Sequence, residues 1–298
     1  MTKNQISLIV LFLFLLNITN ANPNDSIEDQ NQGIFANPPV FDHKINARYF
    51  NWYLADTREL VTAPGRWTGK DWLKLGGASL ATFLMVKYVD GPVNDYFKDL
   101  NQDSDFWKGV DATLNPLKGT TYLIYAGALP YAIGLLSKDQ LLMRTSLESV
   151  EAQILVSFVS YPLNIIANRT RPRDGGSPED FHPFQGTNGD PFNINTSFPS
   201  GHAILVFSAA TVFAEAYKHK KWVPWVAYGL AGLVGVERLY EHAHFVSDVF
   251  FGAFIGHYMT RTLIKNHRKQ NEKGWLGGID ITPFMGFGAQ GIHLSYKF

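Results

Sequence analysis

The chain has 298 residues, enough to bury a substantial core in one large domain or two small ones. Lysine plus arginine and aspartate plus glutamate balance at 26 each, and no long basic run occurs, which argues against a nucleic-acid binder. There is no cysteine, so disulfides, thiol nucleophiles and cysteine-ligated metals are excluded.

The N-terminus reads as an export signal. Lys3 precedes an apolar stretch from Ile6 to Leu16, and Thr19 and Ala21 stand at cleavage positions. A span needs roughly 20 apolar residues, so a secretory signal peptide over 1–21 is expected in preference to an anchor. A mature N-terminal segment, 22–70, follows. Its asparagine- and aspartate-rich start suggests a flexible lead, and "NARYFNWYLADTRELVTAPGRWTGK" predicts one or two short helices broken at Pro64-Gly65.

Six apolar segments come next: Trp72–Val89, Thr121–Leu136, Ala152–Ala167, Ala203–Tyr217, Val223–Val236 and Phe245–Thr260. Each is long enough for a helix, and Pro130, Pro162 and Pro224 predict kinks or late starts. The aspartate-rich stretch from Asp90 to Thr120 is expected as a loop. These helices make up one helical domain over 71–262. A basic linker and hairpin complete the chain over 263–298, where Ile292, Leu294, Tyr296 and Phe298 alternate as in a strand and Gly288–Gly291 signals a turn.

The fold class is therefore all-α, a bundle of about six core helices with a short C-terminal β-hairpin. Membrane embedding is the preferred setting, because the second and third segments carry no charge. Their shortness and a mean hydropathy near zero keep a soluble helical domain as the alternative. Lys218–Lys221 and the basic residues from Arg261 to Lys269 would face the cytoplasm by the positive-inside rule. With an exported N-terminus that topology needs five spans, and Trp72–Val89, which carries Lys74 and Lys87, is then placed at the interface.

Three polar clusters sit at the ends of these segments. "NRTRPRDGG" places Arg169, Arg171 and Arg173 after the third, "SFPSGH" opens the fourth with Ser200, Gly201 and His202, and "RLYEHAHFVSD" joins the fifth to the sixth. In helices of alternating direction these ends meet on one face. Such a face suits an oxyanion: a helix N-terminus supplies N–H groups and a positive dipole end, and arginines supply planar forks. On a continuous helix His244 and Asp248, four apart, share a face, whereas His242 points elsewhere.

The three clusters resemble the type-2 phosphatidic acid phosphatase superfamily, which includes membrane lipid phosphatases, bacterial class A acid phosphatases and vanadium haloperoxidases. Its pattern is Lys-x6-Arg-Pro, Pro-Ser-Gly-His and Ser-Arg-x5-His-x3-Asp. Arg171-Pro172, Pro199–His202, and Arg238 with His244 and Asp248 match in order and spacing, and the resemblance runs from about Trp72 to Arg261. It implies that His244 attacks phosphorus to form a phosphohistidine, that Asp248 fixes its tautomer, and that His202 protonates the leaving oxygen. Arg171, Arg238, Ser200 and the Gly201 amide would hold the phosphate oxygens, with Arg169 a further candidate. No metal or cofactor is expected. Two positions depart from the pattern, since Asn164 stands in place of the lysine and Glu237 in place of the serine.

The resemblance implies a metal-independent phosphatase acting on a phosphomonoester or pyrophosphate, preferably of a lipid, at the inner membrane of a bacterial envelope with its site facing the periplasm. The alternatives are a soluble periplasmic acid phosphatase of broad specificity and a catalytically impaired binder of phosphate ligands. The expected partners are a phosphorylated lipid or small phosphoester and the membrane, not nucleic acid.

Overall fold

The computed structural model describes residue 45 and residues 47–100, 105–114, 121–185, 196–273, 279–286 and 289–296. The expected signal peptide, residues 186–195 between the first two polar clusters, and Phe298 lie outside the described residues. Nine helices occur among them. These are α1 (Ala47–Thr62), α2 (Gly69–Tyr88), α3 (Asp90–Asp99), α4 (Asp105–Leu114), α5 (Thr121–Ser137), α6 (Gln140–Ala167), α7 (Gly201–Ala216), α8 (Trp222–Tyr240) and α9 (Val246–Lys273).

The count exceeds the six expected, for local reasons. The chain breaks at Pro64-Gly65 into a short 3-10 turn, Ala63–Arg66, so α1 is a separate helix. The stretch from Asp90 onward, expected as a loop, folds into α3 and α4. Pro92 falls in the first turn of α3, where its missing N–H has no helical partner to lose. α6 begins at Gln140, twelve residues before the apolar run, because Glu148, Glu151 and Gln153 are buried rather than solvated. Pro162 lies inside α6, while Pro224 sits in the first turn of α8, as a late start requires.

α7 is the axis of the bundle and packs on α6, α8 and α9. Its sequence, GHAILVFSAATVFAEA, is small and apolar on nearly every side, so most of the helix is buried. Ser200 caps it, its Oγ accepting the Ala203 N–H. α9 runs against α7 through two glycines one turn apart. A Cβ at Gly252 would stand 2.6 Å from the Ser200 carbonyl oxygen, and one at Gly256 2.6 Å from that of Ile204. Small residues at this spacing let two helix backbones approach. Around this contact, Val156, Ile204, Phe251 and Ile255 form one core cluster, and Leu60, Leu155, Val212 and Leu263 another that brings in α1.

β1 (Ile279–Gly286) and β2 (Ala289–Tyr296) pair as an antiparallel ribbon with Ile279 opposite Tyr296 and Gly286 opposite Ala289. The hairpin is present, with Gly291 within β2 opposite Phe284, while Gly288 of the turn signal lies outside the described residues.

The α7–α9 contact yields a direct test. Gly256→Ala should lower unfolding free energy by about 1–3 kcal/mol through overpacking, despite the better helix propensity of alanine. Denaturant titration of the two proteins measures it.

Candidate active site

Four helix ends converge. α6 stops at Ala167 with Asn168 left-handed at its cap, φ 38°, and the chain then turns across the starts of α7 and α9. Backbone hydrogen bonds tie these segments together. The Ser197 N–H donates to the Arg169 carbonyl at 2.7 Å, Ser200 N–H to Asp248 O at 3.1 Å, and Arg173 N–H to His242 O at 2.9 Å.

Arg169 is the largest fully buried side chain among the described residues, with no exposed surface. Its guanidinium reaches Asp90 at 2.7 Å and Asp248 at 2.5 Å, and donates to the Pro178 carbonyl and to Ser247 Oγ. The Phe245 and Phe181 rings cover it, with centroids 4.1 Å and 4.9 Å away. Arg169 was expected as a further phosphate ligand; the structure instead commits it to two carboxylates in a dry interior. Arg173 differs, its side chain about half exposed.

Asp248 sits in the first turn of α9 and accepts the Phe245 N–H at 2.7 Å, one half of a capping box. The same oxygen also accepts the Ser197 hydroxyl. Asp90 completes the cap from another helix, accepting the Ser247 N–H at 2.9 Å. Neither Asp90 nor Ser197 was singled out from the sequence. Asp90 lies 157 residues from the helix it caps, and no local pattern marks such a pair.

His244 precedes α9 instead of sharing its face with Asp248. The two side chains stand 4.0 Å apart, and Nδ1 hydrogen-bonds the Ser197 carbonyl at 2.7 Å. This corrects the expectation that Asp248 fixes the tautomer directly. A carbonyl only accepts, so Nδ1 carries the proton and Nε2 presents its lone pair. Asp248 acts one step removed, by holding Ser197. Nε2 faces Arg171 Nη1 at 3.4 Å, and the His202 ring lies across from it with centroids 5.8 Å apart. Burial first, then Arg171 and His202, push the His244 imidazole well below its usual pKa. His242, with φ 52°, turns away to Asn94 at 3.2 Å.

Arg171 donates to the Ala243 carbonyl at 3.0 Å, which aims its guanidinium at the His244 side of the cluster. Gly201 opens α7, and a Cβ there would meet nothing within 4 Å. Asn164 does not act as a shortened lysine. Its Nδ2 donates to the Phe198 and Pro199 carbonyls at 3.1 Å and 3.2 Å, bracing the turn into Ser200. Glu237 is buried and ion-paired to Arg238, and Glu241 adds a second contact to the same guanidinium at 2.8 Å. The site therefore gathers His202, His244, Asp248, Ser200, Gly201, Arg171 and Arg238, with Arg238 already paired to two carboxylates.

Two outcomes follow. Arg169→Leu leaves Asp90 and Asp248 buried without their cation and should cost about 3–5 kcal/mol in urea unfolding. The depressed His244 pKa means that the unfolded chain binds more protons below pH ~6.5, so this group's contribution to stability falls as pH drops through that value. The His244 ring resonances should show no titration between about pH 6 and 8 by NMR; a midpoint near 6.5 would contradict the burial argument.

Lipid A 1-phosphatase of Porphyromonas gingivalis is 36% identical over 61 residues, covering 20% of this chain and 14% of that protein. Phosphatidylglycerophosphatase B of Bacillus subtilis is 41% identical over 68 residues, 20% of this chain and 34% of the relative. Bacitracin transport permease protein BcrC of Bacillus licheniformis is 38% identical over 63 residues, 21% and 30% respectively. The chain thus spans between about a seventh and a third of the length of these relatives. No solved structure matches significantly. The family match starts later than the resemblance suggested, leaving out α1 to α5, and extends further along α9: residues 147–272 match the PAP2 superfamily.

Proposed function

We propose that the protein is a phosphatase that hydrolyses a phosphomonoester or pyrophosphate carried by a lipid, through a phosphohistidine on His244. The observation that carries this reading is the fixed tautomer of His244, with Nδ1–H held by the Ser197 carbonyl and Nε2 turned toward Arg171 and His202. In the first step Nε2 attacks phosphorus and the P–O bond to the leaving group breaks. His202 gives the leaving oxygen its proton. In the second step water attacks the phosphohistidine, His202 takes the water's proton, and the P–N bond breaks to return His244 and release phosphate. Arg171, the Ser200 hydroxyl and the Gly201 N–H at the start of α7 bind the phosphoryl oxygens. No step calls on a metal or cofactor. Arg169 and Asp248 are positioning residues in this scheme, since they hold the segments that carry His244 and Ser200.

A lipid substrate at a membrane is supported by the outer surface. α6, 28 residues, is long and apolar enough to cross a bilayer, at about 1.5 Å per residue. It exposes Ile154, Phe158, Tyr161 and Ile166, while α2 exposes Leu73, Leu80, Phe83 and Leu84, and α8 exposes Trp225, Leu230 and Leu233. Apolar faces on three helices suit acyl chains. The relatives' names, a lipid A phosphatase and a phosphatidylglycerophosphatase, are those of enzymes acting on lipid phosphates. We place the protein in a bacterial inner membrane with this site on the periplasmic side.

The pairing of Arg238 with Glu237 and Glu241 favours a second reading, a binder with weak turnover. The two separate in one experiment. Purified protein in detergent, without added metal, is given 32P-labelled lipid phosphates and p-nitrophenyl phosphate. An acid-labile phosphoprotein that His244→Ala abolishes, with turnover lowered at least about 10³-fold, supports the enzyme. In kcat/KM, which reports the first step alone, His202→Ala should lose about 10²–10⁴-fold on the lipid ester and much less on p-nitrophenyl phosphate, whose leaving group needs no proton. Ligand binding without phosphoprotein in the wild type would sink the enzymatic reading. Restored turnover in Glu237→Ser would then locate the defect at Arg238.

A further inference from the structure

α9 carries a second polar cluster, at the end remote from the phosphate site. His267 lies 19 residues beyond Asp248, about 28 Å along the helix. Its ring is buried against Asp56 of α1 and Glu148 and Glu151 of α6, all with essentially no exposed surface. His267 Nδ1 hydrogen-bonds Glu148 Oε1 at 2.8 Å. Nε2 lies 2.7 Å from Asp56 Oδ2 and 3.8 Å from Glu151 Oε2. Three carboxylates around one imidazole are too many for that imidazole to balance, and a buried carboxylate without compensation is costly. Glu151 makes the imbalance plain, because both its oxygens are buried with no hydrogen-bond partner while Oε2 points at His267. Asp56 Oδ1 is likewise buried and unpartnered.

We propose that His267, Asp56 and Glu151 bind a divalent transition-metal ion, zinc or manganese, that fastens α1 and α9 to α6. One ligand atom from each residue falls within 4.8 Å of the other two. Atoms bound at about 2.0–2.2 Å to a common ion stand roughly 3–4 Å apart, so side-chain adjustment alone closes the site. Glu148 supplies the remaining feature of such a centre. By accepting Nδ1–H it holds the ring so that Nε2, which now hydrogen-bonds Asp56 Oδ2 at 2.7 Å, would turn its lone pair to the ion once the ion displaces that proton, the carboxylate–histidine–metal arrangement. The mixed oxygen and imidazole donor set selects a transition ion over calcium or magnesium, which take oxygen alone. The role is structural, since the site is closed by three helices and lies far from the phosphate chemistry.

The test uses the full-length protein purified in detergent without chelator. Elemental analysis should find about one equivalent of zinc or manganese. Stripping with a chelator should lower the melting temperature, and adding Zn²⁺ or Mn²⁺ alone should restore it. Glu151→Gln, which keeps side-chain volume, should remove both the bound ion and the thermal response while helix content by circular dichroism is retained. Glu148→Gln should weaken metal affinity about 10–100-fold without abolishing binding. Should Glu151→Gln fail to fold, the wild-type metal content and thermal response decide the matter alone. Metal-free wild-type protein that neither ion stabilises would overturn the proposal and leave the cluster as carboxyl groups that retain protons. Full metal occupancy in a folded Glu151→Gln would overturn it equally.

Discussion

The site depends on one buried guanidinium. Arg169 joins the start of α3, through Asp90, to the start of α9, through Asp248, and to the Pro178 carbonyl in the loop that follows its own helix. Burying one cation and two carboxylates is tolerable only when every partner is in place, and the penalty for losing one is that of an uncompensated buried charge. The planar fork of arginine meets this requirement because it offers several donors at fixed angles, which a lysine would not. Three chain segments are therefore held in one register. His244 inherits its position from that register, since Ser197, which accepts its Nδ1–H, is itself held by Asp248 and by the backbone of Arg169.

Electrostatics at the phosphate face follow a different balance. Where the superfamily pattern has a lysine, Asn164 spends its donors on the two carbonyls that precede Ser200. Where it has a serine, Glu237 neutralises part of Arg238. The face keeps its geometry and loses positive charge. Under the proposed function, oxyanion binding then leans on Arg171 and on the N–H groups at the start of α7, whose dipole is fixed by the fold and needs no counterion. Apolar contact with a lipid tail would supply the remainder of the affinity, in keeping with the exposed apolar faces of α2, α6 and α8.

α6 and α9 are polar at two levels and apolar between. One level is the cluster around Arg169 and Asp248, and the other is the cluster around His267, Glu148 and Glu151. Between them the helices meet α7 through alanines, glycines and branched aliphatics that allow close backbone approach. The two levels act as pins at either end of the α7 contact. Sliding one helix along another would be resisted by buried charge at both ends, and not by packing alone.

Much of the candidate site was legible in the residues, because its groups stand at short spacing. Pro199 to His202 announces a capped helix start. Arg238, His244 and Asp248 lie within eleven residues, and the apolar runs mark most of the helices on which these stand. What escaped has a common cause. Glu148 and Glu151 look solvated in a sequence window, so α6 seemed to start at Ala152, yet burial against α1 and α9 makes them interior. Asp90 seemed part of an acidic loop, yet it caps a helix 157 residues away. Arg169 and Arg171 are indistinguishable as neighbours on a string, and only packing sends one into the core and the other toward His244. By itself, then, the sequence determined which polar groups stand at which helix ends, since propensity, capping and periodicity act within a few turns. The tertiary structure alone decided which charges are buried, which are paired, and which atom holds the His244 proton, because those depend on desolvation by segments that meet only when the chain has folded.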